Sequence, residues 1–365
     1  MIGGVAVIIA ARNAKATIGD AVSSALEQPE VGEVVVVDDA SDDATSDAAR
    51  AAARNDARLI VLRQAANIGP AAARNLAIGR STAPYIAILD ADDYVLPGRF
   101  TPLLAQPDWD LIADNIVFVP AEAVGRIDIG SLPNGEGQSE PLDLAAFIRG
   151  NIARKSIKRG ELGFLKPMIR RSVLPSEGPV YDPGLRLGED YDLYVRLLLG
   201  GARFRLSRRI GYAARVRPDS LSGKHKTEDL KALLAASMRH SAPDLEVADA
   251  MRDYRRQLRA RYLLRAFLDR KSENGPGAAL AFALAPPTNL APILRGVLAD
   301  KIGAMRQLPR RAGGVFHTLL DIHGPVGAVT AASDARRTSH WASPPGGTRP
   351  AAQAPASSSA MHDNR

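Results

Sequence analysis

The chain has 365 residues, 46% of them hydrophobic, a formal net charge of +7 and no cysteine. That length suits one large domain with a smaller appendage, and the apolar content can supply a real core. The lack of cysteine excludes disulfides, thiolate metal sites and a cysteine nucleophile and fits the cytoplasm, and the 5% aromatic content argues against nucleic acid as a partner.

Apolar runs at residues 5–10, 33–37, 59–62 and 85–89 predict strands, with helical patterns at 17–28, 43–54 and 69–79 between them. Alternation at this spacing implies βαβ units and a parallel sheet. Ser41 and Asp42 are natural caps for the second helix, and Pro70 suits the first turn of the third. The first strand begins too early to leave room for a signal peptide. Farther on, a strand is expected over 110–119, a Gly-, Pro- and Asn-rich loop over 130–141, a mixed region to 174, a helix over 189–199, and short strands over 203–206 and 210–216.

Charge is unevenly placed. Residues 1–225 carry 27 basic and 28 acidic side chains, whereas residues 226–340 carry 18 and 11. In that basic third, Tyr254, Leu258 and Tyr262 recur every four residues, with Arg255, Arg256, Arg259 and Arg270 largely off their face. The pattern fits both a helix lying on an anionic membrane and one packed on the main domain, because arginine stems snorkel in either setting. The longest apolar stretch, 278–285, falls far short of the ~20 residues of a spanning helix. From Ser339 the composition predicts a disordered tail.

The densest chemistry is Asp90-Ala91-Asp92-Asp93, at the carboxyl end of the fourth strand. Ligands of open α/β sheets sit at that edge, and carboxylates packed so closely call for a cation. Hard oxygen donors select Mg²⁺ or Mn²⁺, held by one or two carboxylates together with substrate phosphates, so the cluster reads as a diphosphate site. Asp38-Asp39 follow the second strand, beside the turn Ala11-Arg12-Asn13. They can accept hydrogen bonds from a ribose hydroxyl or a base N–H, or simply cap the next helix. In the segment Asn67 to Asn75, Gly69 permits a tight turn, and Arg74 can meet a phosphate or form a structural ion pair.

Taken in order, Asp38-Asp39-Ala-Ser41, Asn67-x-Gly69-x-x-x-Ala73-Arg74-Asn75 and Asp90-x-Asp92-Asp93 resemble the nucleotide-binding half of family 2 glycosyltransferases with the GT-A fold. The resemblance covers about residues 4–225. It implies an α/β, Rossmann-like and mostly parallel sheet flanked by helices, with a nucleotide-sugar half (1–120), an acceptor half (121–225), a basic helical extension (226–338) and the tail (339–365). It implies that Asp39 contacts the base, that Asp90 lies near ribose and metal, and that Asp92 ligates Mn²⁺ or Mg²⁺; Asn13, Asp38 and Arg74 complete the candidate donor contacts of this half. Ala11 and Arg12 stand where the family more often has aromatic residues or proline, a departure that touches the base pocket.

Downstream, Leu187-Gly188-Glu189-Asp190-Tyr191 matches the family's acidic pair, which implies that Asp190 is the catalytic base. In an inverting displacement the acceptor hydroxyl must lose its proton as it attacks. Arg217 and His225 fall where relatives have a loop over the donor diphosphate. Lys166 and Arg170, in a stretch resembling the entry to the acceptor half, can meet an acidic sugar or lipid diphosphate or form exposed salt bridges. So can the basic cluster Arg149, Arg154, Lys155, Lys158 and Arg159. The chain is similar to bacterial exopolysaccharide enzymes of the succinoglycan type. That likeness implies a UDP-sugar donor, a lipid-linked oligosaccharide acceptor and a cytoplasmic place at the inner membrane face. Two rivals are a catalytically inactive GT-A-like protein that docks through its basic third, and a sugar-phosphate nucleotidyltransferase, for which residues 10–16 lack the expected glycines.

Overall fold

The computed structural model describes residues 3–120, 139–152, 161–216, 226–305 and 317–320, with side chains left out over 300–305. The chain divides into two units, Met1–Ser333 and Asp334–Arg365, and all described residues belong to the first. The expected tail therefore lies outside the described residues, as does most of the 130–141 loop.

The N-terminal half alternates as its pattern predicts: β1 (Val5–Ala11), α1 (Ile18–Leu26), β2 (Val31–Asp38), α2 (Thr45–Ala53), β3 (Leu59–Arg63), α3 (Pro70–Arg80) and β4 (Tyr85–Ile88). The strands β3-β2-β1-β4 run parallel in that order. Val5 through Ile9 are fully buried, as expected of a central strand covered on both faces. Four strand ends thus open toward one edge, which positions the loops after β1, β2 and β4 side by side.

The second half adds β5 (Tyr94–Val95), α4 (Phe100–Leu104), β6 (Leu111–Pro120), β7 (Glu140–Pro141), α5 (Leu144–Arg149), β8 (Met168–Arg170), α6 (Glu189–Leu199) and β9 (Phe204–Val216). The sheet continues β4-β8-β6-β9-β5, with β8 antiparallel to both its neighbours. The two short strands expected at 203–206 and 210–216 are one strand. Polar Ser207, Arg208 and Arg209, which resemble a break, sit where the β6–β9 register shifts near Ala113–Asn115, so they mark an irregularity rather than a turn.

Beyond it come α7 (Thr227–Arg239), α8 (Leu245–Leu284), α9 (Leu290–Met305) and β10 (His317–Thr318), which pairs with β6. Of the two readings of the arginine-rich helix, packing on the main domain holds for the face that Tyr254 and Leu258 form. Both are buried, and Tyr254 stacks on Tyr191 of α6 with ring centroids 4.3 Å apart. Arg255 turns back to donate to the carbonyl oxygens of Ser237 and His240, the latter at 2.7 Å. Gly275, at φ 83°, interrupts α8 just before Pro276. Among the described residues no single helix is long and apolar enough to cross a membrane.

Candidate active site

The site grows from the carboxyl end of β4. Antiparallel pairing sets Met168 of β8 opposite Ala87, so the chain entering β8 passes beside the loop that leaves β4. Lys166, two residues upstream, is thereby carried to Asp90: its Nζ lies 2.9 Å from Asp90 Oδ2 and 2.8 Å from Asp190 Oδ2. Arg74, from the second turn of α3, donates to Asp90 Oδ1 at 2.9 Å and to Glu189 Oε1 at 2.7 Å, and its Nη1 is 3.5 Å from Asp190 Oδ1. Glu189 and Asp190 open α6 immediately after Gly188, whose φ of 71° favours glycine. Their charges also suit the positive end of the helix dipole.

Three carboxylates and two cations therefore close a ring that joins the sheet edge to the start of α6. Arg74 and Lys166 are both buried, so neither ion is cheaply left alone. Burial opposes ionisation of Asp90, yet Lys166 and Arg74 outweigh it and hold its carboxyl down at about 2. Burial likewise disfavours the Lys166 ammonium, but Asp190 and Asp90 reverse that and keep it charged. Asp93 behaves oppositely: burial, then the Asp90 and Asp92 charges, push its carboxyl well above the usual range. It accepts from the Tyr212 hydroxyl at 2.8 Å and the Arg215 amide at 2.9 Å, and Tyr212 also accepts from the Asp90 amide. Tyr212 thus rivets the acidic loop to β9. The Tyr181 phenol is held protonated by burial and by the Asp190 charge.

Asp38, the last residue of β2, and Asp39 after it divide their tasks. Asp38 is fully buried, accepting from the Ser41 amide at 2.9 Å and from the Ser46 hydroxyl, so both its oxygens are engaged in the turn into α2, the alternative to a ligand contact that the sequence also allows. Burial raises its pKa, but these hydrogen bonds prevail and lower it. Asp39 accepts from the amides of Ile68 at 2.6 Å and Gly69 at 2.9 Å, tying the end of β2 to the start of α3. Asn13, at φ 52°, donates its amide to Ser41 Oγ and accepts from the Asp42 amide. Both therefore sit on the loops that flank the strand ends.

Other expectations resolve differently. Arg170 leaves the site: its guanidinium lies over the rings of Trp109 and Tyr85 at 5.0 and 5.3 Å. Arg149 is exposed and pairs with Glu246 of α8 at 2.6 Å. Arg217 and His225, together with Arg154, Lys155, Lys158 and Arg159, lie outside the described residues. Lys166, expected to meet an acidic ligand or to form an exposed salt bridge, is instead buried at the centre in ion pairs with Asp90 and Asp190. The usable signal was a lone lysine among Phe164, Leu165, Met168 and Ile169, since a cation in such a run must find carboxylates.

Among the described residues no three or more His, Asp or Glu side chains form a metal-binding group. Both Asp90 oxygens already meet a cation, which leaves half-buried Asp92 as the carboxylate of this loop best suited to a metal. The donor set fits a hard divalent ion only in the mode where one protein carboxylate shares it with substrate oxygens.

The sequence profile of glycosyl transferase family 2 matches residues 6–126. The chain is 48% identical over 310 residues to succinoglycan biosynthesis protein ExoU of Rhizobium meliloti (strain 1021), covering 83% of this chain and 89% of that one. Succinoglycan biosynthesis protein ExoO of the same organism is 32% identical over 238 residues, 63% of this chain and 65% of that one. In fold the chain is similar to S. aureus TarS 1–349, with a TM-score of 0.51 at 18% identity over 88% of this chain and 98% of that one. A second TarS structure, in complex with UDP, gives a TM-score of 0.50 at 19% identity, covering 89% and 99%. The chain belongs to glycosyltransferase family 2, and it is a glycosyltransferase with the GT-A fold.

Proposed function

We propose that this enzyme transfers a hexose from a UDP-sugar, with inversion, to a lipid-linked oligosaccharide in exopolysaccharide synthesis. One observation carries the reading: Asp90 on the donor side and Asp190 on the helix opposite share a single ammonium, Lys166, at 2.9 and 2.8 Å. A diphosphate held at the β4 edge and a hydroxyl approaching α6 would therefore meet across a few ångströms. The polymer class and the donor are supported by the ExoU likeness and by the UDP bound to TarS. A cytoplasmic place beside the inner membrane face follows from such an acceptor.

In this reading Asp39 and Asn13 border the base pocket, and Arg74 holds Asp90 toward the ribose and diphosphate. Asp190 takes the acceptor proton as the oxygen attacks the anomeric carbon and the bond to the diphosphate breaks. Lys166 and Arg74 hold the Asp190 carboxylate in place. When bound, Mn²⁺ or Mg²⁺ on Asp92 would offset the charge that grows on the leaving diphosphate.

Isothermal titration of UDP with and without Mn²⁺ tests the donor half. The native chain should bind UDP more tightly with the metal, and Asp92→Ala should lose that difference while retaining its fold. Equal affinity with and without Mn²⁺ would remove the metal from the account.

A further inference from the structure

The apolar face that the arginine-rich helix offers in sequence is covered, but another is open. Residues 275–299 contain one charged side chain, Arg295. They form the last turns of α8, a short connection through Pro286-Pro287 and most of α9, and the pair turns through 104°. Ala279, Ala283 and Ile293 are buried at 1–2% exposure, and Ala283 and Ile293 pack with Leu263. One position past Ala279, Ala283, Ile293 and half-buried Val297, Leu280, Leu284, Leu294 and Leu298 stand 56, 49, 58 and 59% exposed. Leucines at i and i+4 on two successive helices are not scattered surface residues; they make two apolar stripes.

Just before this run, residues 252–271 carry eight basic side chains against two acidic ones, with Arg261 and Lys271 exposed. An apolar stripe beside a basic flank complements the headgroup and acyl boundary of an anionic bilayer. A second copy of this chain is a poorer match, since the same basic flank would face itself. We propose that the α8–α9 turn is a membrane-docking element, inserting Leu280, Leu284, Leu294 and Leu298 into an anionic lipid surface while the basic stretch of α8 meets the headgroups. The docking bears on the lipid-linked acceptor proposed above but does not rest on it.

The test is vesicle flotation of the full chain without donor or acceptor, so its outcome is independent of glycosyl transfer. The native protein should float with phosphatidylglycerol vesicles and much less with phosphatidylcholine. The variant L280Q/L284Q/L294Q/L298Q, checked by circular dichroism, should lose at least about tenfold in the bound-to-free ratio, each buried leucine contributing its transfer energy. Separately, L294W should shift its indole emission to the blue on addition of phosphatidylglycerol vesicles, relative to the native chain. Equal flotation of the quadruple variant, no flotation of the native chain, or an unshifted L294W spectrum would overturn the proposal. A dimer seen by light scattering that the quadruple variant splits would instead assign the face to a second copy.

Discussion

Lys166 is the residue on which the two halves of the site balance. Its ammonium neutralises one oxygen of Asp90 and one of Asp190, so its removal leaves both carboxylates dependent on Arg74. Breaking a buried ion pair from one side costs about 3–5 kcal/mol. Lys166→Met should therefore lower the urea unfolding free energy by roughly that amount. An unchanged denaturation midpoint would mean that solvent already screens the pair.

Asp192, in the first turn of α6, gives the pH signature. Burial would raise its carboxyl, but His240, at 3.0 Å, and Arg196, at 2.8 Å, prevail and hold it below its ordinary value. A depressed carboxyl contributes stability that is complete above its unfolded value of about 3.9 and is lost as pH falls through the folded one. Urea midpoints measured from about pH 6 to about pH 3 should fall in the native chain and fall less in Asp192→Asn. Parallel slopes in the two proteins would show that the clasp adds nothing.

At the level of elements, the start of α6 depends on one glycine. Gly188 adopts φ 71°, and a Cβ there would lie 2.7 Å from a methyl of Leu233 in α7. Both the left-handed backbone and the contact disfavour any larger residue, at a cost of about 1–3 kcal/mol for the backbone alone. Gly188→Ala should destabilise the fold and depress transfer by shifting Asp190, with kcat falling more than the affinity for UDP. A variant as stable and active as the native enzyme would show that α7 yields without cost.

What the sequence made legible was local. Asp39, Asp90 and Asp190 follow strand or helix signals that need only neighbouring residues to be read, and the βαβ alternation set the first four strands in order. Lys166 depends on β8, a three-residue strand too short for periodicity, whose antiparallel insertion is decided by pairing with β4 and β6. Asp38 is indistinguishable from Asp39 in sequence because both are buried and only the turn decides which groups each carboxylate holds. β9 reads as two strands because polar residues such as Ser207, Arg208 and Arg209 look alike in a strand and in a turn, and sequence does not show that Ser207 is buried.

For the molecule as a whole, the helical extension continues the architecture of the enzyme. Tyr254 stacks on Tyr191, the residue after Asp190, so α8 braces the helix that carries the proposed base. One set of contacts thus joins the sheet edge, the start of α6 and the arginine-rich helix. Asp190, held by Lys166 and Arg74 opposite the donor loop, is proposed to remove the acceptor proton. The most direct test of that role is sugar transfer from a labelled UDP-sugar to lipid-linked acceptor by Asp190→Asn, alongside titration with UDP. A fall in kcat of at least ~100-fold with UDP affinity retained is expected, general-base contributions being of that order. Transfer at the native rate would contradict it.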